Sequence, residues 1–352
     1  MSVKLVSLDE DSLYEHIFER YVELGRHTES LKQDLGIQQR DASTLEIDIE
    51  PPLPSVDSIK PRKRKGSKRT EGERYNILVE QSLSDLNSSV SNNNSTTGYV
   101  LWSSTPFFLR WLLYNPEAQP FREGSNVVEI MEREGTATIP SMYSSTSARQ
   151  ESVGILELGT GISPLMASVL CNHVSAYVCT DQRGILNRLK YNLKENLSQI
   201  TRRQCISATL GIESEIESAA PENDDGEEMY RTRRKPMVQL EVQELDWEKF
   251  DAKTPHPYLD QLSSSCGTVY ILAMDVIYNE YLIDPFLNTL SALRNYFSEN
   301  NITVSCLVGV HLRSQDIVTQ FLEQAVIEHE LPVQYIHSTT IEESRYALYL
   351  VN

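Results

Sequence analysis

The chain has 352 residues, 40% of them hydrophobic, enough for one large core or for a core with an added segment. Its 50 acidic and 32 basic residues give a formal net charge of −18. Such a field repels nucleic-acid phosphate and draws basic partners, although acidity also serves plain solubility. The cysteines (Cys171, Cys179, Cys205, Cys266, Cys306) are scattered without a C-x-x-C pair, which argues against a disulfide framework or a zinc site and for a reducing compartment.

The opening MSVKLVSLDEDSLYEHIFERY has no basic segment followed by an apolar run, and no apolar run approaches about 18 residues. A soluble, intracellular, cytoplasmic protein with no membrane contact is expected. Residues 8–34 carry Leu13, Ile17, Tyr21, Val22 and Leu24 at helical spacing, with Ser7 as the expected N-cap. Residues 41–72 turn polar, with Pro51, Pro52, Pro54 and Pro61 before PRKRKGSKR, and read as a flexible linker. That basic run suits a nuclear-import signal, a contact to ribosomal RNA, or a merely solvated stretch. The first division is therefore residues 1–72, a helix and basic linker, and the second 73–352.

RYNILVEQS reads as a strand, and a polar loop follows it. TGYVLWSSTPFFLRWLL begins extended and becomes helical, and residues 115–150 form an irregular insert. From Val153 strand and helix alternate: VGILEL, PLMASVLCNH, SAYVCTD, ILNRLKYNLKENL. An insert over 200–236, containing the acidic stretch 222–228, reads as a mobile loop. Strands MVQLEVQEL and TVYILAMD, a helix from LIDPFLNTLSALRNYF, strand TVSCLVGV and a helix from SQDIVTQFLEQAVIEH come next. VQYIHST and YALYLV close the chain as an antiparallel pair. This alternation predicts an α/β, mostly parallel, doubly wound sheet whose ligand lies beyond the carboxyl ends of the strands.

The residues after each strand are therefore the ones to inspect. ILELGTGISP places Gly159, Thr160 and Gly161 in a turn after the first strand of the alternation. The dinucleotide fingerprint would need a third small residue, and Pro164 follows Ser163 instead. Glu157 stands at the mouth of that turn, where a pyrophosphate would meet like charge. S-adenosylmethionine, with a sulfonium, an ammonium and no phosphate, would be attracted there, and glycines let the backbone approach it closely. Asp181 ends the next strand, where an acid hydrogen-bonds ribose hydroxyls. Asp246 and Trp247 follow QLEVQEL; the indole can pack on adenine and the carboxylate can accept from an amine. Asp275 and Tyr278 follow the fourth strand.

These pieces in this order, VLWSS (100–104), ILELGTGI (155–162), CTDQ (179–182), NLKEN (192–196), LDW (245–247) and AMDVIY (273–278), resemble the seven-β-strand protein-lysine methyltransferases of the methyltransferase-like twenty-one group. The resemblance spans residues 74–352. The long inserts and the amino-terminal helix resemble a fungal branch that acts on ribosomal proteins. It implies a seven-stranded Rossmann-like methyltransferase sheet with an amino-terminal helical extension, and S-adenosyl-L-methionine as cofactor. It implies that Trp102 lines the pocket, that Gly159, Thr160 and Gly161 hold the methionine end, and that Asp181 binds the ribose. Trp247 would flank the adenine, and Met274 would stand where the family has a small residue. Asp275 and Tyr278 would match its D-x-x-Y signature, where a substrate lysine meets the methyl group. Ser163 departs from the family's third glycine, and the acidic stretch 222–228 has no counterpart. The implied partner is a basic substrate protein, a large-subunit ribosomal protein in that branch, with a monomeric enzyme, no metal and no direct nucleic-acid contact.

Two other readings remain open on the sequence. One is an RNA or small-molecule methyltransferase on the same sheet, although an exocyclic-nitrogen enzyme would be expected to show an Asn-Pro-Pro-Tyr-like turn where DVIY stands. The other is a cofactor-binding assembly factor for a ribosomal protein. Tyr278 could also be an ordinary half-buried tyrosine.

Overall fold

The computed structural model describes residues 3–27, 36–52, 73–83, 97–122, 126–131, 135–143, 152–201, 204–215 and 237–352. The basic run 61–69 and the acidic stretch 222–228 lie outside them. The strands are β1 (Lys4–Ser7), β2 (Thr44–Ile49), β3 (Tyr75–Glu80), β4 (Asn126–Glu129), β5 (Thr136–Ile139), β6 (Val153–Leu158) and β7 (Ala176–Asp181). They continue with β8 (Gln204–Ser207), β9 (Ile212–Glu215), β10 (Val238–Glu244), β11 (Thr268–Met274), β12 (Thr303–His311), β13 (Val333–His337) and β14 (Tyr346–Val351). The longer helices are α1 (Ser12–Arg26), α2 (Ser104–Tyr114), α3 (Leu165–Leu170), α4 (Arg183–Glu195), α5 (Pro257–Ser265), α6 (Ile283–Glu299) and α7 (Gln315–Glu323).

Strands buried on both faces read as unbroken apolar runs rather than as alternation. This is why β6 and β11 are buried at every position. The main sheet runs β1-β13-β14-β12-β11-β6-β7-β10-β8-β9. Its inner seven, from β13 to β10, are the expected Rossmann-like set: β12, β11, β6, β7 and β10 run parallel, and β14 is antiparallel to both β12 and β13. Three further strands extend it to ten. β1 pairs antiparallel with β13, and the β8–β9 hairpin adds to β10, so part of the insert expected as a loop is sheet. Within the other insert β4 and β5 form a separate hairpin.

The amino-terminal part departs from the sequence reading in three ways. Ser7 is not the N-cap, because it ends β1. The helix starts at Ser12, where Asp9 Oδ1 accepts from the Ser12 amide at 2.9 Å and from its hydroxyl at 2.6 Å, while the Asp9 amide donates back to the Ser12 hydroxyl. Residues 44–49, expected within a linker, form β2, whose buried Leu45, Ile47 and Ile49 alternate with exposed neighbours. A boundary near residue 72 falls inside a hairpin, since β2 pairs with β3 from Thr44–Glu80 to Ile49–Tyr75.

That hairpin is fastened to α4 by two asparagines of the NLKEN stretch. Asn192 Oδ1 accepts from the Glu80 amide at 3.0 Å and its Nδ2 donates to the Glu80 carbonyl at 2.9 Å. Asn196 repeats the pattern on Leu78, at 2.9 and 2.7 Å. The two side chains thus serve as a surrogate neighbouring strand for β3. All five cysteines are buried, and none is in a disulfide.

Candidate active site

Parallel strands in register bring their carboxyl ends to one edge. Glu157 of β6 lies opposite Cys179 of β7 and Leu272 of β11, and Asp181 of β7 lies opposite Glu244 of β10. Above this edge opens a cavity of about 850 Å³, counted to its solvent mouth. All eleven residues singled out in the sequence line it: Trp102, Glu157, Gly159, Thr160, Gly161, Asp181, Asp246, Trp247, Met274, Asp275 and Tyr278.

The floor is the turn after β6. Gly159 and Gly161 adopt φ of +66° and +62°, the left-handed region that side chains resist. Space is short as well: a Cβ on Gly159 would stand 2.7 Å from Val276 Cγ1 and 3.3 Å from the Trp247 ring. The turn is held by the Thr160 amide donating to the Thr180 carbonyl at 3.0 Å and the Gly161 amide donating to Asp181 Oδ2 at 2.7 Å. Its roof is the start of the segment expected to begin extended, whose first two residues the sequence reading does not single out. Gly98 accepts from the Ile162 amide at 2.9 Å, and both Thr97 and Gly98 line the cavity.

The acids differ in their surroundings. Glu157 is buried, and burial pushes its carboxyl up to about 8, against the opposing effect of the Tyr177 hydroxyl that donates to it at 2.7 Å. Asp181 is raised to about 6 by burial, moderated by the amides of Gly161 and Gln182. Asp246 is already engaged: it ion-pairs with Lys249 and accepts from the Glu248 amide at 3.2 Å. Trp247 packs edge-on against Phe286, ring centres 5.2 Å apart. Met274 is buried with its sulfur over Gly309, the position where a Cβ would meet it at 2.5 Å.

Asp275 leaves β11 with φ +61°, rare for a residue with a side chain. Its carboxylate is buried and ion-paired with Arg313; burial raises its pKa to about 6, and Arg313 opposes that rise. The guanidinium of Arg313 also lies over the Trp102 ring, 4.8 Å from its centre. Trp102 in turn donates from Nε1 to the Thr97 carbonyl at 2.9 Å, and Thr97 Oγ1 donates to the Tyr278 hydroxyl at 2.8 Å. Arg313, Trp102, Thr97 and Tyr278 thus form one chain of contacts along the wall that holds Asp275. Arg313 was not among the residues picked from sequence, yet it follows β12, a fifth strand end that the same rule would have reached.

The lining fits a cationic ligand and not a phosphorylated one. Glu157, Asp181, Asp246, Glu248 and Asp275 face the cavity, and the described lining residues include no Lys, Arg or His. Two crowded glycines leave bare backbone for a close approach, as an aminoacyl moiety with a sulfonium would require. A pyrophosphate would meet acids with no cation to spare, since Arg313 and Lys249, behind the lining, are already taken by Asp275 and Asp246.

No protein-family model matches the chain. Among curated proteins, ribosomal lysine N-methyltransferase 5 of Zygosaccharomyces rouxii is 45% identical over 351 residues, covering 100% of both chains. The protein of the same name from Saccharomyces cerevisiae strain AWRI796 is 46% identical over 368 residues, again covering 100% of both. Among solved structures, an O-methyltransferase of neocarzinostatin biosynthesis in complex with S-adenosyl-L-homocysteine aligns at 12% identity and a TM-score of 0.30, over 57% of this chain and 49% of that one, too slight a likeness to build on.

Proposed function

The chain belongs to the ribosomal lysine N-methyltransferase 5 family, and on that premise we propose that it transfers a methyl group from S-adenosyl-L-methionine to a lysine of a large-subunit ribosomal protein. The observation that carries this reading is the acid-lined cavity, with its two left-handed glycines, ending at the Asp275–Tyr278 turn. When bound, the cofactor supplies a methyl on a sulfonium leaving group. What remains for the protein is alignment and exclusion of water.

The glycine turn and Glu157 hold the aminoacyl end, Asp181 the ribose, and Trp247 flanks the base. Asp246 keeps the Trp247 turn closed through Lys249 and Glu248. A lysine attacks only as the neutral amine, and at pH 7 about four free lysines in ten thousand are neutral. Entry past the half-buried Tyr278 and the apolar Val276 and Leu282 removes water from the ammonium and lowers its pKa. Tyr278, fixed by Thr97, shapes that entry. Asp275 is already committed to Arg313, so its role is to hold the wall, not to act as a general base.

A basic ribosomal protein suits a chain of net charge −18. The same charge supports a monomeric enzyme without direct nucleic-acid contact. The test incubates the purified protein and its Asp275→Ala variant with radiolabelled S-adenosylmethionine and an extract from cells lacking the protein. One labelled basic protein band, absent with the variant, is expected. Label in RNA or small molecules would overturn the assignment.

A further inference from the structure

Helix α1 is held to the sheet by both apolar and polar contacts. Its buried face carries Leu13, His16, Ile17 and Arg20. His16 Nε2 is 3.2 Å from the Tyr349 hydroxyl, and its ring lies 4.4 Å from that of Tyr335. Arg20 donates to the carbonyls of Ile341, Glu342, Ser344 and Tyr346 and stacks over Tyr335. These bonds fix the helix in rotation as well as position, so its outer face is a defined surface.

That outer face is not an ordinary solvated one. Tyr14, Phe18 and Val22, four residues apart, form an apolar row exposed to 48%, 66% and 40%. Isolated exposed apolar side chains are common, but three in line on one helix face are a patch. A second row, Asp11, Glu15, Glu19 and Glu23, runs beside it, displaced by about 60° round the helix. Glu23 pairs with Arg26 and His27. Asp11, Glu15 and Glu19 are exposed and form no ion pair among the described residues.

We propose that this face of α1 docks a basic amphipathic segment of the protein substrate, its apolar side on Tyr14, Phe18 and Val22 and its cations on Asp11, Glu15 and Glu19. The proposal rests on the lysine-methylation reading for the identity of the partner. Charge complementarity selects the occupant. A second copy of the chain would bring one acidic row against another in a two-fold contact, with each copy carrying −18. A basic helix meets both rows at once, in the helix-on-apolar-stripe mode with charged flanks. Docking away from the cavity would hold the substrate by a surface separate from the lysine itself and raise its local concentration at the mouth.

The test uses the full chain with two triple variants. One is Tyr14→Ser, Phe18→Ser, Val22→Ser; the other is Asp11→Asn, Glu15→Gln, Glu19→Gln. None of these residues lines the cavity, and circular dichroism with thermal melting checks that α1 stays folded. The first readout is fluorescence anisotropy with a labelled amphipathic peptide of leucine and lysine. The expected result is a Kd at least about tenfold weaker for both variants at low salt. In about 0.5 M salt the acidic-row variant should match the wild type, while the apolar-row variant remains weaker. The second readout is methylation of acid-extracted large-subunit ribosomal proteins, where KM should rise while kcat and the affinity for S-adenosylmethionine stay unchanged. Equal peptide affinity for all three proteins overturns the proposal, as does a wild-type dimer in sedimentation that the apolar-row variant dissociates. Peptide binding that follows the expected order with no methylation by any of the three would overturn the functional reading and leave the docking face standing.

Discussion

Glu157 is the residue whose behaviour most directly reports what enters the cavity. Its carboxyl is held up at about 8 by burial. At pH 7.5 a group with that pKa carries a proton in about three quarters of molecules. A cationic ligand favours the carboxylate, so binding S-adenosylmethionine should expel that proton. Asp181 and Asp275, near 6, contribute only about a few hundredths each at this pH. The expected release is therefore about 0.8 proton per ligand at pH 7.5 and about 0.1 at pH 9; at pH 6.5 Glu157 contributes about one, with up to about a quarter more from each of Asp181 and Asp275. Titration calorimetry in phosphate and in Tris measures it, because the difference in observed enthalpy divided by the difference in buffer ionisation enthalpy gives the proton count. Glu157→Gln should bring the count near zero and weaken binding. A binding enthalpy independent of buffer in the wild type at pH 7.5 would refute the argument that a buried, protonated Glu157 receives a cation.

Removing the cation behind Asp275, with Arg313→Met, leaves a buried carboxylate uncompensated and raises its pKa above about 6. The acid limb of the kcat profile should move to higher pH and activity at pH 7.5 should fall about tenfold or more, with little further loss when Asp275→Asn is added. Gly159→Ala forces a Cβ to within 2.7 Å of Val276 at a positive φ, and should cost about 1–3 kcal/mol of stability together with most cofactor affinity, read by melting and calorimetry. A carboxyl whose folded pKa is raised favours folding when protonated, and that contribution is lost as pH rises from the unfolded pKa through the folded one. For Glu157 the window runs from 4.5 to about 8. Glu157→Gln should therefore raise the melting temperature of the ligand-free protein more at pH 8.5 than at pH 5, and a larger gain at pH 5 would contradict the shift.

The cavity was legible because its logic is one of strand ends. Glu157, Asp181, Asp246 and Asp275 each follow an apolar run that can be seen without a structure, and register then places them side by side. What escaped was set by long-range pairing. Leu45, Ile47 and Ile49 alternate as plainly as any strand, but the prolines and lysines after them drew the whole of 41–72 into a linker, whereas their partner β3 lies beyond it. Lys4–Ser7 is too short to show periodicity, and only β13 makes it a strand. Thr97 and Gly98 open the extended TGYVLWSS segment without an apolar side chain of their own, and matter because the Ile162 amide bonds to Gly98 while Thr97 bonds to Trp102 and Tyr278. The asparagines of NLKEN were read as part of a family pattern, and their physical task, capping the open edge of β3, appears only with both partners in view.

The pairing of β1 with β13 also sets a clock on biosynthesis. Val6 lies opposite Tyr335, so each strand of this pair is made long before or long after its partner. At ~5–20 residues per second that wait is on the order of tens of seconds. Throughout it Leu5, Leu13 and Ile17, all buried in the finished fold, have no sheet to cover them. The β1–α1 segment is thus a stretch that chaperones can hold during translation, and it joins the fold only once the β13–β14 hairpin is available.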